Sequence, residues 1–142
     1  AIAHGDVGAA RIDTHLVPDR GDGLRGSHGR YRRVASPPPA IARQAITHVR
    51  PIEPLAGATL VECRLETGRQ HQIRIHLAEA GHPLVGEAVY IRDYKGQRIA
   101  APRAMLHAAT LGFVHPRRGE TLRFERLPPA DFTALLEGLR AR

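Results

Sequence analysis

Between Val61 and Ala80 the hydrophobic period of the chain changes, and that change constrains the fold more than any other feature. Val61, Cys63 and Leu65 alternate with Glu62, Arg64 and Glu66, the period of a strand with one buried and one wet face. From Gln70 the apolar spacing becomes i, i+4, i+7, which sets Ile73, Leu77 and Ala80 on one side of a helix. Thr67 stands where an N-cap belongs, and Gly81 ahead of Pro83 stops the helix. A strand that feeds straight into a helix makes this a mixed chain, neither all-β nor a bundle.

The flanks add strands and one further helix. Ala1 to His4 reads as a strand entering a turn at Gly5 to Gly8, and Arg11 to Val17 as a second that ends before Pro18. In Arg43 to Arg50, Ala45, Thr47 and Val49 alternate with polar neighbours, and Glu53 to Gly57 forms the turn into the next strand, giving an antiparallel pair. Pro83 to Val89 is an extended loop and Arg92 to Ala101 a polar surface excursion. Leu111 and Phe113, then Leu122 and Phe124, alternate around a turn at His115 to Gly119. Phe132, Leu135, Leu136 and Leu139 fall at i, i+3, i+4 and i+7, an amphipathic helix with Asp131 as N-cap. The sum predicts an α+β domain over residues 1–142, with a mostly antiparallel sheet and segregated helices. Within it, residues 19–40 read as a flexible loop, because arginine, glycine and three consecutive prolines leave few apolar side chains to order it.

Composition narrows the chemistry. Lysine and arginine total 21 against 14 acids, a formal charge of +7, and nearly all the cations are arginine, whose planar fork suits phosphates and base edges. RNA or DNA is therefore the favoured partner, although GC-rich coding also puts arginine where lysine would serve. Cys63, the single cysteine, excludes an internal disulfide and a cysteine-cluster metal site and fits the reducing cytoplasm, the expected location. No apolar run approaches the roughly 18 residues of a membrane helix, so no membrane partner is expected. The nine histidines show no metal-binding spacing, Ser27 and Ser36 are the only serines, and the glycines form no phosphate or dinucleotide loop. Neither a metal, a serine nucleophile nor a small-molecule cofactor is expected. Ala1-Ile2-Ala3 resembles the middle of a strand, so the chain is expected to be part of a longer protein.

One constellation remains. Arg69, His71, Gln72, Arg74 and His76 place hydrogen-bonding groups at the start of the first helix, where the helix dipole adds positive potential for an anion.

These residues carry a resemblance. Thr67-Gly68-Arg69-Gln70-His71-Gln72-Ile73-Arg74-Ile75-His76, followed by Gly81-His82-Pro83-Leu84-Val85-Gly86 and Tyr90, resembles the signature of RluA-type RNA pseudouridine synthases. Ordered flanks resemble that family too: Ala1 to Gly5, Ala45 to His48, Leu106-His107-Ala108 and Leu127 to Phe132. The resemblance implies part of a pseudouridine synthase catalytic fold, isomerising uridine to pseudouridine in ribosomal or transfer RNA without cofactor or metal. It implies that Arg74 is the basic partner of a catalytic aspartate and that Arg69, His71, Gln72 and His76 contact RNA. In that family the aspartate belongs to a His-Arg-Leu-Asp segment ahead of the first strand, which these residues do not contain, and the active-site tyrosine would also stand ahead of Ala1. Asp13 follows that strand and reads as structural. The chain is accordingly expected to be the C-terminal portion of one catalytic domain and inactive alone. The alternative is a non-catalytic RNA-binding module on the same fold.

Overall fold

The period-two segments become strands. β1 (Ile2–His4), β2 (Ala10–Val17), β3 (Gly26–Ser27), β4 (Arg43–Leu55) and β5 (Ala58–Leu65) form one antiparallel sheet in the order β1-β5-β4-β2-β3. Helix α1 (Gln72–Glu79) follows β5, the hairpin β6 (Thr110–Val114) and β7 (Thr121–Glu125) stands as a separate pair, and α2 (Ala130–Arg140) ends the fold. The computed structural model describes residues 1–31, 37–108, 110–114, 121–125 and 127–140, with β6 and β7 described by backbone alone. The turn expected at His115 to Gly119 and the side-chain alternation of Leu111, Phe113, Leu122 and Phe124 lie outside that description. The architecture is the α+β arrangement that the pattern predicts, and among the described residues no helix is long and apolar enough to cross a membrane.

Ala45, Thr47 and Val49 are buried as their alternation requires. Strand β4 nevertheless runs to Leu55, through Pro51 and Pro54, where a turn is expected from Glu53. Its pairing with β2 stops at Val49, so beyond that point one edge is open and a proline sacrifices no ladder bond. The register shift between Pro51 and Glu53 absorbs the irregularity.

Two apolar clusters lie on opposite sides of β1. Ile2 packs with Val85, Met105 and the α2 residues Phe132, Leu136 and Leu139, while Ala3 packs with Val49, Val61, Leu84 and Leu77 of α1. Each fully buried aliphatic side chain contributes about 1.5–3 kcal/mol to this arrangement. Asp131 sits inside the first turn of α2 and not at its cap, gripping Arg103 through two hydrogen bonds of 2.8 and 3.0 Å.

The Arg- and Gly-rich segment is more built than a flexible loop as far as Tyr31. Asp19 accepts from the N–H groups of Gly21 and Gly23, Arg20 forks onto Asp22, and β3 pairs with β2. Charge pairing and side-chain turns order it where apolar burial does not, which composition alone does not reveal.

Candidate active site and nucleic-acid interface

The strand β5 ends at Leu65, and the chain must turn before α1 can begin. Thr67 takes part in that turn without capping the helix: its hydroxyl accepts from the Ile46 N–H and donates to Gln72 Oε1. Gln72 Oε1 also accepts from the Arg69 N–H, while Gln72 Nε2 donates to the Ile46 carbonyl and to Thr47 Oγ1. The amide is 2% exposed and fully satisfied. It fastens the helix start to β4.

The cap position belongs to His71, at φ 57° and ψ 20°, the left-handed region that a non-glycine residue enters at a cost of about 1 kcal/mol. That conformation turns the ring outward to Tyr90, with Nδ1 2.8 Å from the phenol oxygen. Burial first, and the Arg74 charge second, lower the His71 pKa below its ordinary value.

Arg74 is one turn further along. Its Nε and Nη2 donate to Glu87 Oε2 and Oε1 at 2.9 and 2.6 Å, and its guanidinium carbon lies 5.1 Å from the Tyr90 ring centroid. Glu87 has no exposed side-chain surface and also accepts from the N–H groups of Val89 and Tyr90. Burial pushes this carboxyl up, but the hydrogen bonds from Arg74 and the two N–H groups outweigh it and hold Glu87 below the usual range. Gly86 is what lets the chain present it. Its φ is +84°, and a Cβ there would collide with the Arg103 carbonyl oxygen.

His76 lies on the inward face with no exposed surface. Thr47 Oγ1 is 2.7 Å from Nδ1 and Thr14 Oγ1 is 2.7 Å from Nε2. Burial lowers its pKa to about 4, so the ring is neutral.

The expected constellation is thus divided. Arg74, His71 and Arg69 reach the surface around Tyr90 or the helix start, and Arg69 donates to the Gln44 carbonyl at 2.9 Å. Gln72 and His76 do not: expected as RNA contacts, they point into the protein and are consumed by the sheet, because the buried face of α1 is Gln72, Ile75, His76 and Leu77, with Ile73 half-buried and Ala80 exposed. Sequence reasoning missed Glu87, an acid held between apolar Val85 and Val89 directly after a turn glycine, which is the pattern of a buried ion-pair partner. Arg25, which the sequence offers only as one of several loop arginines able to hold a phosphate, donates through Nε to the Gln70 carbonyl at 3.1 Å beside the helix start, and its charge bears on both His71 and Tyr90. Among the described residues no cluster of metal-ligating side chains occurs.

Chemically, the arrangement offers one guanidinium with a fixed orientation. Its Nε and Nη2 edge is spent on Glu87, leaving Nη1 for a second acceptor, and the ring of Tyr90 forms an adjacent wall.

Comparison with known proteins bears on the family and the fold. Residues 9–79 match the family model described as RNA pseudouridylate synthase. Ribosomal large subunit pseudouridine synthase D of Zymomonas mobilis is 46% identical over 102 residues, covering 68% of this chain and 32% of that protein. An uncharacterized RNA pseudouridine synthase of Bacillus subtilis is 45% identical over 102 residues, covering 69% and 31%. The chain spans about a third of the length of these curated relatives. Among solved structures, human RNA pseudouridylate synthase domain containing 4 aligns with a TM-score of 0.72 at 21% identity, over 99% of this chain and 60% of that one, which shows a shared fold.

Proposed function

Because this chain belongs to the RNA pseudouridylate synthase family, we propose that its site serves the isomerisation of uridine to pseudouridine in RNA. The reaction breaks the bond from C1′ to N1 of the base and makes a bond from C1′ to C5, with a proton leaving C5 and one arriving at N1. It needs no oxidant, reductant or leaving group from outside. The target nucleotide must leave its stack before the glycosidic bond can be reached.

The observation that carries this reading is the side-on Arg74–Glu87 pair beside Tyr90. Arg74 remains charged at any working pH. With one edge fixed by Glu87, its free Nη1 can hold a catalytic aspartate ionised and oriented, so that Arg74 bridges two carboxylates. The sequence led us to expect one partner, absent from these 142 residues; the structure supplies another from within them. In this reading the aspartate belongs to a His-Arg-Leu-Asp segment, which these 142 residues do not contain. Arg69, Arg25 and His71 then flank the cleft and meet phosphates or the base of the RNA, of ribosomal or transfer origin.

Tritium release from RNA labelled at uridine C5 tests the proposal. In the full-length protein Arg74→Ala should lower turnover by about 1,000-fold, the scale of a lost electrostatic contact to a reacting group. Glu87→Gln, which frees the guanidinium without removing it, should lower turnover by a smaller factor, about 10 to 100. The 142-residue chain by itself should release none. Unchanged turnover in Arg74→Ala would remove Arg74 from the site.

A further inference from the structure

Tyr90 also lines a hollow of about 500 Å³, and neither Arg74 nor Glu87 is among its walls. Its volume falls within the roughly 300–1,000 Å³ that ligand sites occupy. Arg20 and Tyr31 come to it from the segment before β4, and Arg92, Tyr94 and Lys95 from the loop after Tyr90. The guanidinium carbon of Arg20 lies 4.5 Å from the Tyr31 ring centroid, and the Arg20–Asp22 pair that holds it is only 11% exposed on each side chain. Tyr94 packs against the His4 ring at 5.0 Å. His4 is in turn fixed by the Pro83 carbonyl and the Ile99 N–H.

The acids around the hollow are largely committed. Asp22 serves both Arg20 and Arg92, at 2.8 and 3.1 Å, and both oxygens of Glu79 accept from Ser27. Asp93 approaches Arg20 at 3.6 Å and is otherwise in solvent. Lys95 has no ion-pair partner among the described residues, and it is the only lysine in the sequence. Two tyrosine rings and an uncommitted ammonium at one opening suit a ligand with a flat face and a negative group.

We propose that this hollow binds one RNA nucleotide next to the target uridine, its base against Tyr31 or Tyr94 and its phosphate on Lys95 and Arg92. The proposal rests on the RNA reading of the neighbouring site. A bare phosphate would use the cations and leave the rings idle, which is why a nucleotide is the fitting occupant.

Acetylation of lysine in the full-length protein, mapped to the Lys95 peptide by mass spectrometry, provides the test, with decauridylate and inorganic phosphate as separate probes. Decauridylate should slow Lys95 acetylation at least about five-fold, and phosphate at equal phosphorus concentration less than about two-fold. Equal slowing by both probes would overturn the nucleotide assignment and leave an anion site. No slowing by either, or a Lys95 already unreactive without RNA, would overturn the site itself. Tyr94→Ala should weaken decauridylate binding by about ten-fold, and Lys95→Gln by about three-fold. Binding unchanged in both variants would also count against the hollow. A protein that shields Lys95 yet releases no tritium would keep the hollow and lose the isomerase reading, so the two fail separately.

Discussion

The histidine in the middle of α1 is held neutral by the direction of its hydrogen bonds as well as by burial. Ser27 has one hydroxyl proton, and the Glu79 carboxylate at 2.6 Å takes it. The Thr14 proton must then point to Ser27 across 2.8 Å, so Thr14 accepts from His76 Nε2–H, and Nδ1 accepts from Thr47. A second proton on His76 would face a Thr47 oxygen already receiving the Gln72 amide. The unfolded chain takes up that proton near pH 6.5, whereas the folded one resists it down to about 4. Between those values the unfolded state binds more protons, so stability falls as the pH is lowered through the window, by on the order of 3 kcal/mol in total, and is flat in this respect above it. Urea midpoints at neutral pH and near pH 4.5 should show the fall in the parent and a smaller one in His76→Asn. An equal fall in both would place the acid sensitivity elsewhere. Such residues escape sequence reading for a definite reason. Arg74 was singled out by the motif that resembles a known family, but which way a histidine or glutamine faces is decided only by partners, here Thr14, Thr47 and Ile46.

Those partners also set the phase of the helix. Apolar spacing alone turns Ile73, Leu77 and Ala80 inward, yet the fully satisfied amide of Gln72 and the ring of His76 are worth burying, and they rotate α1 so that Ile73 is only half buried. The left-handed residue at His71 belongs to the same event, since a residue with ordinary dihedral angles there would begin the helix earlier, nearer the Thr67 cap that the sequence suggests. Gln72→Leu keeps the bulk and removes the hydrogen bonds. It leaves the Ile46 carbonyl, the Arg69 N–H and two threonine hydroxyls to find other partners, so unfolding free energy should drop by about 2–4 kcal/mol in urea titrations, and a loss below about 0.5 kcal/mol would show the fastening to be incidental. Strand existence and partners were legible throughout the sheet, because alternation in β4 and β5 is a property of neighbouring residues. Strand length was less so. Pro51 and Pro54 end a strand only if both edges are paired, and edge pairing is not visible locally.

At the scale of the molecule, the net charge of +7 has to be divided before it says anything about RNA. Arg11, Arg20, Arg50, Arg74, Arg92, Arg103 and Arg140 are each bound to a carboxylate, whereas Arg30, Arg43, Arg64 and Arg98 have none among the described residues, nor do Arg25, Arg69 and Lys95, the three that lie at the helix start and the hollow. If those three meet phosphates, the logarithm of the association constant should fall with the logarithm of salt with a slope of about −2, at roughly −0.7 per contact on a single strand. Anisotropy of labelled decauridylate across a salt series measures it, and a slope near zero would count against RNA as the ligand of this surface. The same separation of near from far bears on β1, enclosed on both faces by α1 and α2 residues and paired with β5 across 58 residues (Ile2 with Leu60), while β4 and β5 close locally at Leu55 and Ala58. Contacts between distant residues carry the larger closure cost and form late. In stopped-flow measurements Ile2→Val should therefore hasten unfolding and leave refolding nearly unchanged, whereas Val49→Ala should slow refolding. Three residues that occupy little of the structure would then govern how long the molecule keeps its shape once it has acquired it.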